Sequence, residues 1–235
     1  MTDGVPATQL RWMAEGHAYF LSCLKDVDDA ELEGPTSLPG WTGKHLLSHV
    51  GHNARALTRL ARWAHTGIET PMYASSSART EEIDDGAGWS TARLRDFVVE
   101  EQERLSTELD RIDGEGWQAP VVTAQGRTVP AATIPWLRCR EVWIHACDLP
   151  GGGDFAAFPA GFTDALIEDA LTRRRGAQSV DISVRATDRE SGGAVTGTVI
   201  EGPAADLARW LTRGTVVPTL RAASGGTLPK LPDWL

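Results

Sequence analysis

Apolar residues recur at helical spacing in four long stretches of the chain. In residues 7–33 the set is Leu10, Met13, Phe20, Leu21 and Leu24, and Pro35 closes the stretch. A second helix is predicted from Thr42, a suitable N-cap, to Thr66, with Gly67 as its stop. Its apolar stripe is Leu46, Val50, Leu57, Ala61 and Ala64, flanked by Leu47 and Leu60. Residues 69–88, with three consecutive serines and then acids and glycines, read as loop. A third helix over 90–112 buries Leu94, Phe97, Val98, Leu105, Leu109 and Ile112. Residues 117–129 read as a loop or short hairpin, and a fourth helix runs over about 131–149. Four long amphipathic patterns make a helix bundle the economical fold.

Pro150-Gly151-Gly152-Gly153 breaks the pattern and marks a domain boundary, giving domains 1–150 and 151–235. Beyond it come a helix over 160–175 and two alternating runs, 180–187 and 194–200, which read as a β-hairpin. Gly202-Pro203 opens a last helix that ends at Gly214, directly after Arg213. The predicted class is mainly α: a four-helix bundle followed by a small α/β domain.

Composition narrows the function. A hydrophobic share of 41% and a charged share of 23% suit a globular protein with a real core. The net charge of −9 argues against a phosphate-backbone binder, so nucleic acid is not an expected partner. No apolar run approaches the roughly 18 residues of a membrane span. The N-terminus lacks the basic region and apolar core of a signal peptide. Three cysteines, an odd number, fit a reducing cytoplasm rather than a disulfide framework. Cys139 and Cys147, about 12 Å apart along one helix, cannot bridge.

The fourth helix is apolar almost all round, yet it carries Arg138, Glu141, His145 and Asp148 within one narrow stripe. Glu141 and His145 lie about 40° apart on the wheel, one turn from each other. Charged groups on a buried helix must be paired or must bind something. The second helix offers His45, His49 and His52. From the centre of its apolar stripe His49 lies about 80° away, His45 about 120° and His52 about 140°. His49 therefore flanks the buried face and the other two point outward. Two ligands one turn apart plus a third from a neighbouring helix is an economical metal site in a bundle. His49, Glu141 and His145 are the predicted ligands, and two histidines with one carboxylate describe an open zinc site of catalytic type. The competing reading is a salt-bridged core pair beside a solvated histidine face. Cys147 points some 160° from His145 and reads as a packing residue.

Several motifs carry a resemblance. These are Gly40-Trp41-Thr42 leading to His45-Leu46-Leu47-Ser48-His49-Val50, Asn53-Ala54, and Thr70-Pro71-Met72-Tyr73. With them go the 123–130 loop, Arg140-Glu141-Val142-Trp143-Ile144-His145-Ala146 followed by Asp148, the 202–214 helix, and the terminal Trp-Leu. Together they resemble the mycothiol-dependent maleylpyruvate isomerases. The resemblance implies an N-terminal DinB-like four-helix bundle and a smaller C-terminal α/β domain. It places the family's zinc ligands on His49, Glu141 and His145. It matches a family arginine to Arg213, which would reach an interdomain active site from the second domain; alone, Arg213 reads as a basic C-cap.

The implied activity is a zinc-dependent (or other divalent-metal-dependent) cis–trans isomerisation of maleylpyruvate to fumarylpyruvate in the gentisate route of aromatic breakdown. Mycothiol is the implied thiol cosubstrate. The implied partners are small molecules, with no membrane, and the protein would be a monomer or small homo-oligomer. Arg127, Arg138 and Asp148 are further candidates for roles near the ligands. Two other readings stay open: a mycothiol S-transferase acting on another electrophile, and a non-catalytic metal-binding or structural bundle.

Overall fold

The computed structural model describes residues 4–176, 180–190 and 197–232. The first predicted helix is divided in two. Helix α1 covers Ala7–Lys25, and a short α2 covers Asp29–Glu33. Asp28 starts the second piece: its carboxylate accepts from the Glu31 N–H, and the Glu31 carboxylate accepts from the Asp28 N–H, both at 2.8 Å. This reciprocal cap is a strong local start signal, and it overrides the apolar periodicity running through it.

Helix α3, Gly43–Thr66, has the predicted bounds. Thr42 caps it, and Gly67 ends it in the left-handed region at φ 71°. His45 fills the capping-box place usually taken by Glu or Gln. Its Nδ1 lies 2.8 Å from the Thr42 hydroxyl and 3.3 Å from the Thr42 N–H.

The 69–88 stretch is not all loop. Ser75 caps a further helix, α4, Ser76–Ala87. It packs against α3 with Ile83, Gly86 and Ala87, three positions on one face. A Cβ on Gly86 would lie 2.3 Å from the Ser48 hydroxyl, so the close approach of α4 to α3 requires glycine there.

Helix α5, Thr91–Leu109, begins at the Ser90 cap. Strands β1, Pro120–Val122, and β2, Thr128–Pro130, pair antiparallel as the short hairpin anticipated from the sequence. Helix α6, Ile134–Ala146, has Pro135 in its first turn, where the missing N–H costs nothing. Helix α3 packs on both α5 and α6, and α1 packs on α6. The long helices α1, α3, α5 and α6 thus enclose a core that includes Phe20, Leu46, Val50, Leu57, Phe97 and Val142, all buried.

The chain divides into two compact units, Met1–Gly153 and Asp154–Leu235. The second holds α7, Ala160–Gly176; β3, Ile182–Ala186; β4, Thr198–Gly202; α8, Ala204–Arg213; and β5, Arg221–Ala222. Strand order is β3-β4-β5. The expected hairpin is not what forms: β3 and β4 run parallel, pairing Ile182 with Thr198 through Ala186 with Gly202, and β5 pairs antiparallel to β4. Alternating apolar residues specify strands but not their direction. The connection over 187–197 can reach about 35 Å, ample to carry the chain back along a five-residue strand of about 17 Å. Residues 194–196 of the second expected run, and the terminal Trp234-Leu235, lie outside the described residues.

A mainly α protein with a small C-terminal α/β part is therefore what the structure contains. Among the described residues no helix is long and apolar enough to cross a membrane.

Candidate metal centre

Helix α3 supplies His49 and helix α6 supplies Glu141 and His145, one turn apart. The packing of α3 on α6 brings the three together. His49 Nε2 lies 2.8 Å from Glu141 Oε2, and His145 Nε2 lies 3.3 Å from the same oxygen. The two imidazole centroids are 4.9 Å apart, edge to face. One ligand atom from each residue lies within 4.8 Å of the other two.

Donors about 2.1 Å from a tetrahedral ion stand about 3.4 Å apart. The spacing and the donor set therefore fit a divalent cation, with three protein ligands and a position left open. His49 is 4% exposed, so its desolvation is nearly complete.

Electrostatics bind the three into one unit. Burial pulls His49 down to about 4, against the raising effect of its hydrogen bond to Glu141. Glu141 is pushed up by burial, but hydrogen bonds from His145 and His49 outweigh that and hold it well below the usual carboxylate range. His145 is lowered by burial, yet Asp148 and Glu141 carry it above 6.5. The Asp148 carboxylate receives His145 Nδ1 at 2.8 Å and the Ser37 hydroxyl at 3.2 Å. A carboxylate holding the far nitrogen of a ligating histidine fixes its tautomer and its aim.

Two expected outcomes follow from that arrangement. Asp148→Asn should weaken divalent-metal affinity roughly 10- to 100-fold in a chelator competition, and unchanged affinity would contradict the orienting role. Metal binding needs a neutral His145, so affinity should begin to fall above pH 6.5 on acidification and continue falling below it. A flat metal affinity between pH 8 and pH 6 would count against His145 as a ligand.

The remaining histidines of α3 lie elsewhere, His65 among them, with its Nε2 2.7 Å from Glu108 Oε2. His45 serves its helix cap. His52, expected to face outward, is 3% exposed: its Nδ1 lies 2.9 Å from the Ser48 carbonyl, and its ring packs between Trp89 and Phe97. The wheel of α3 alone could not show that α4 and the residues around Trp89 cover that side.

Three residues that the sequence reading did not place at the centre adjoin it. The Trp41 ring, just before the Thr42 cap of α3, is 5.1 Å from His49. Arg79, from α4, puts a guanidinium nitrogen 3.4 Å from His49 Nδ1. Tyr73 hydrogen-bonds Arg79 and feels the charge of Glu141.

The family model for the mycothiol maleylpyruvate isomerase N-terminal domain matches residues 13–150. The chain belongs to the mycothiol maleylpyruvate isomerase family. A solved relative, described as a mycothiol-dependent maleylpyruvate isomerase, is 33% identical over 97% of both chains, with a TM-score of 0.88. A histidine-to-alanine mutant of such an isomerase gives 32% identity over 97% of both chains and a TM-score of 0.87. No curated protein sequence matches.

For a mycothiol maleylpyruvate isomerase family member, the other sequence candidates fall as follows. Arg213 is half-buried in the second unit, in the last turn of α8, with a contact of 3.2 Å to the Thr212 carbonyl. Arg138 is fully buried and donates to Gln102, to the Val50 carbonyl and to Asn53. Through these bonds it ties α6 to α3 and α5. Arg127 is exposed next to the β1–β2 turn. Cys139 is buried, and burial pushes its thiol up, away from reactivity. Cys147 is half-buried against the Trp143 carbonyl.

Proposed function

We propose that this protein isomerises maleylpyruvate to fumarylpyruvate with mycothiol as cosubstrate and a zinc ion held by His49, Glu141 and His145. The observation that carries the reading is the convergence of two imidazoles and one carboxylate in a chain of this family. Bound there, zinc would supply the positive charge that keeps a thiol deprotonated at neutral pH.

The chain's own groups prepare that position. Asp148 aims the His145 ring, Glu141 contributes the negative ligand charge, and Trp41 covers one side of His49 against water. In the reaction, the mycothiol sulfur forms a C–S bond to an olefinic carbon, and the π electrons move to the conjugated ketone oxygen as an enolate. The former double bond is now single and rotates. Collapse of the enolate re-forms the double bond in the trans geometry and expels the thiolate. Nothing is oxidised or reduced, and the thiol is returned. Arg213 is assigned to the developing enolate charge, which needs a cationic partner. The setting we assign is gentisate breakdown in the cytoplasm, in line with three cysteines that form no disulfide.

The test is turnover per thiol. Zinc-loaded protein with mycothiol well below the maleylpyruvate concentration should consume the cis enone through many cycles, followed by absorbance. Consumption that stops at one equivalent of thiol would mean an S-transferase instead. Failure to bind a divalent metal would favour the non-catalytic bundle.

A further inference from the structure

Arg79 is a guanidinium without an acid. It is half-buried on α4, and among the described residues no carboxylate lies within ion-pair distance of it. Glu82, three residues on, meets Arg59 through Oε1 at 3.5 Å, and its buried Oε2, with no hydrogen-bond partner, is not within ion-pair distance of Arg79 either. Arg79 instead lies 3.4 Å from His49 Nδ1 and hydrogen-bonds Tyr73.

That place matters because of what His49 must do. Its Nε2 faces Glu141 and His145 and is the ligating nitrogen. A neutral imidazole that ligates through Nε2 carries its proton on Nδ1. An Nδ1–H and a guanidinium N–H are both donors, so neither can satisfy the other. With the three candidate ligands engaged, Arg79 has five N–H donors at the rim of the centre and, among the described residues, the Tyr73 oxygen to receive one of them. Tyr73 stays a protonated phenol, because burial pushes it up to about 12, and it offers one more donor in the same place. Among the described residues no carboxylate stands within ion-pair distance of this charge, and such a cluster of donors suits an external anion. The thiol's sulfur belongs to the open metal position, whereas the substrate is a dicarboxylate, and a planar fork of N–H groups matches a carboxylate edge.

We propose that Arg79, with the Tyr73 hydroxyl, binds a substrate carboxylate beside the metal centre and so makes the site selective for carboxylate-bearing enones over neutral ones. The proposal rests on the isomerase reading above and adds a second cation to it. Arg79 is a binding residue here, not a metal ligand.

The experiment compares wild type, Arg79→Met and Arg79→Lys, each zinc-loaded. Maleylpyruvate is titrated calorimetrically without mycothiol, so that nothing turns over, and KM and kcat are then measured with mycothiol. A neutral ester of the same enone serves as the second ligand. Arg79→Met should weaken maleylpyruvate binding and raise its KM roughly 10- to 100-fold, the range of a charge-assisted hydrogen bond. Arg79→Lys should recover part of the loss. Zinc content and the KM for mycothiol should stay at wild-type values, and the variant should no longer prefer acid over ester. Equal maleylpyruvate affinity in wild type and Arg79→Met, no measurable binding by wild type, or loss of zinc from Arg79→Met would each overturn the proposal. Wild-type turnover in the same assay judges the isomerase reading separately, since the titration needs no catalysis.

Discussion

Replacing Glu141 with glutamine is expected to strip the divalent metal from the protein and lower isomerase turnover on the order of 1000-fold or more. Glutamine keeps the shape of the side chain but removes the negative charge among the three ligands. What remains is a pair of neutral imidazoles meeting a neutral amide, with no ligand charge to offset that of a divalent cation and an amide oxygen in place of a carboxylate. The change should leave the fold intact, because a glutamine can still hydrogen-bond His49 Nε2 and His145 Nε2 across the same 2.8 Å and 3.3 Å gaps. The measurement is metal-to-protein ratio and turnover on the same sample, with a thermal melt as control. A full complement of metal together with wild-type turnover would remove Glu141 from the site.

Arg138→Met is expected to cost about 3–5 kcal/mol of stability without touching a ligand. The side chain is fully buried and makes three hydrogen bonds. Nε donates to Gln102 at 2.9 Å, and one terminal nitrogen donates to the Val50 carbonyl at 2.8 Å and to Asn53 at 2.9 Å. Burial pulls its pKa down to about 10, against the raising effect of Glu141, so it remains charged at neutral pH. Methionine preserves most of the volume, which isolates the polar loss from a cavity effect. It strands the Gln102 and Asn53 side-chain oxygens in the interior of the bundle, each costing about 1–3 kcal/mol, and removes the second donor of the Val50 carbonyl, which keeps its helix bond. For a chain of this size the expected fall in melting temperature is about 10 °C. A loss below about 1 kcal/mol in urea unfolding would mean that water or repacking satisfies those acceptors, and that Arg138 does not tie the helices together.

The three residues of the candidate centre were legible in the sequence because two of them share a helix at a spacing that fixes their relation. The third lies on the flank of a helix whose stripe and caps are unambiguous. For α3, Thr42 and Gly67 gave both ends, and the apolar run left one helix face for the core. The misreadings have local physical causes. Helix α4 buries only Ile83, Gly86 and Ala87, too narrow a stripe to stand out against serines and acids. Its glycine, which reads as a breaker, is what permits the contact with Ser48.

Reading 69–88 as loop had two consequences. It left His52 apparently facing solvent, and it hid Arg79, whose place beside His49 depends on α4 being a helix at all. Trp41 precedes the α3 cap, and nothing local in the sequence indicates that its ring turns back toward His49. Strand β4 runs parallel to β3, a direction that hydrophobic alternation does not encode.

If His49, Glu141 and His145 jointly hold one divalent cation with a position open to a thiol, cobalt should report it, since cobalt takes the place of zinc and shows its ligands in its absorption spectrum. Wild-type protein should bind one cobalt per chain with a tetrahedral visible spectrum, and mycothiol should add a sulfur-to-cobalt charge-transfer band that Glu141→Gln lacks. A wild-type protein that takes up no cobalt, or whose cobalt spectrum is indifferent to mycothiol, would contradict the account.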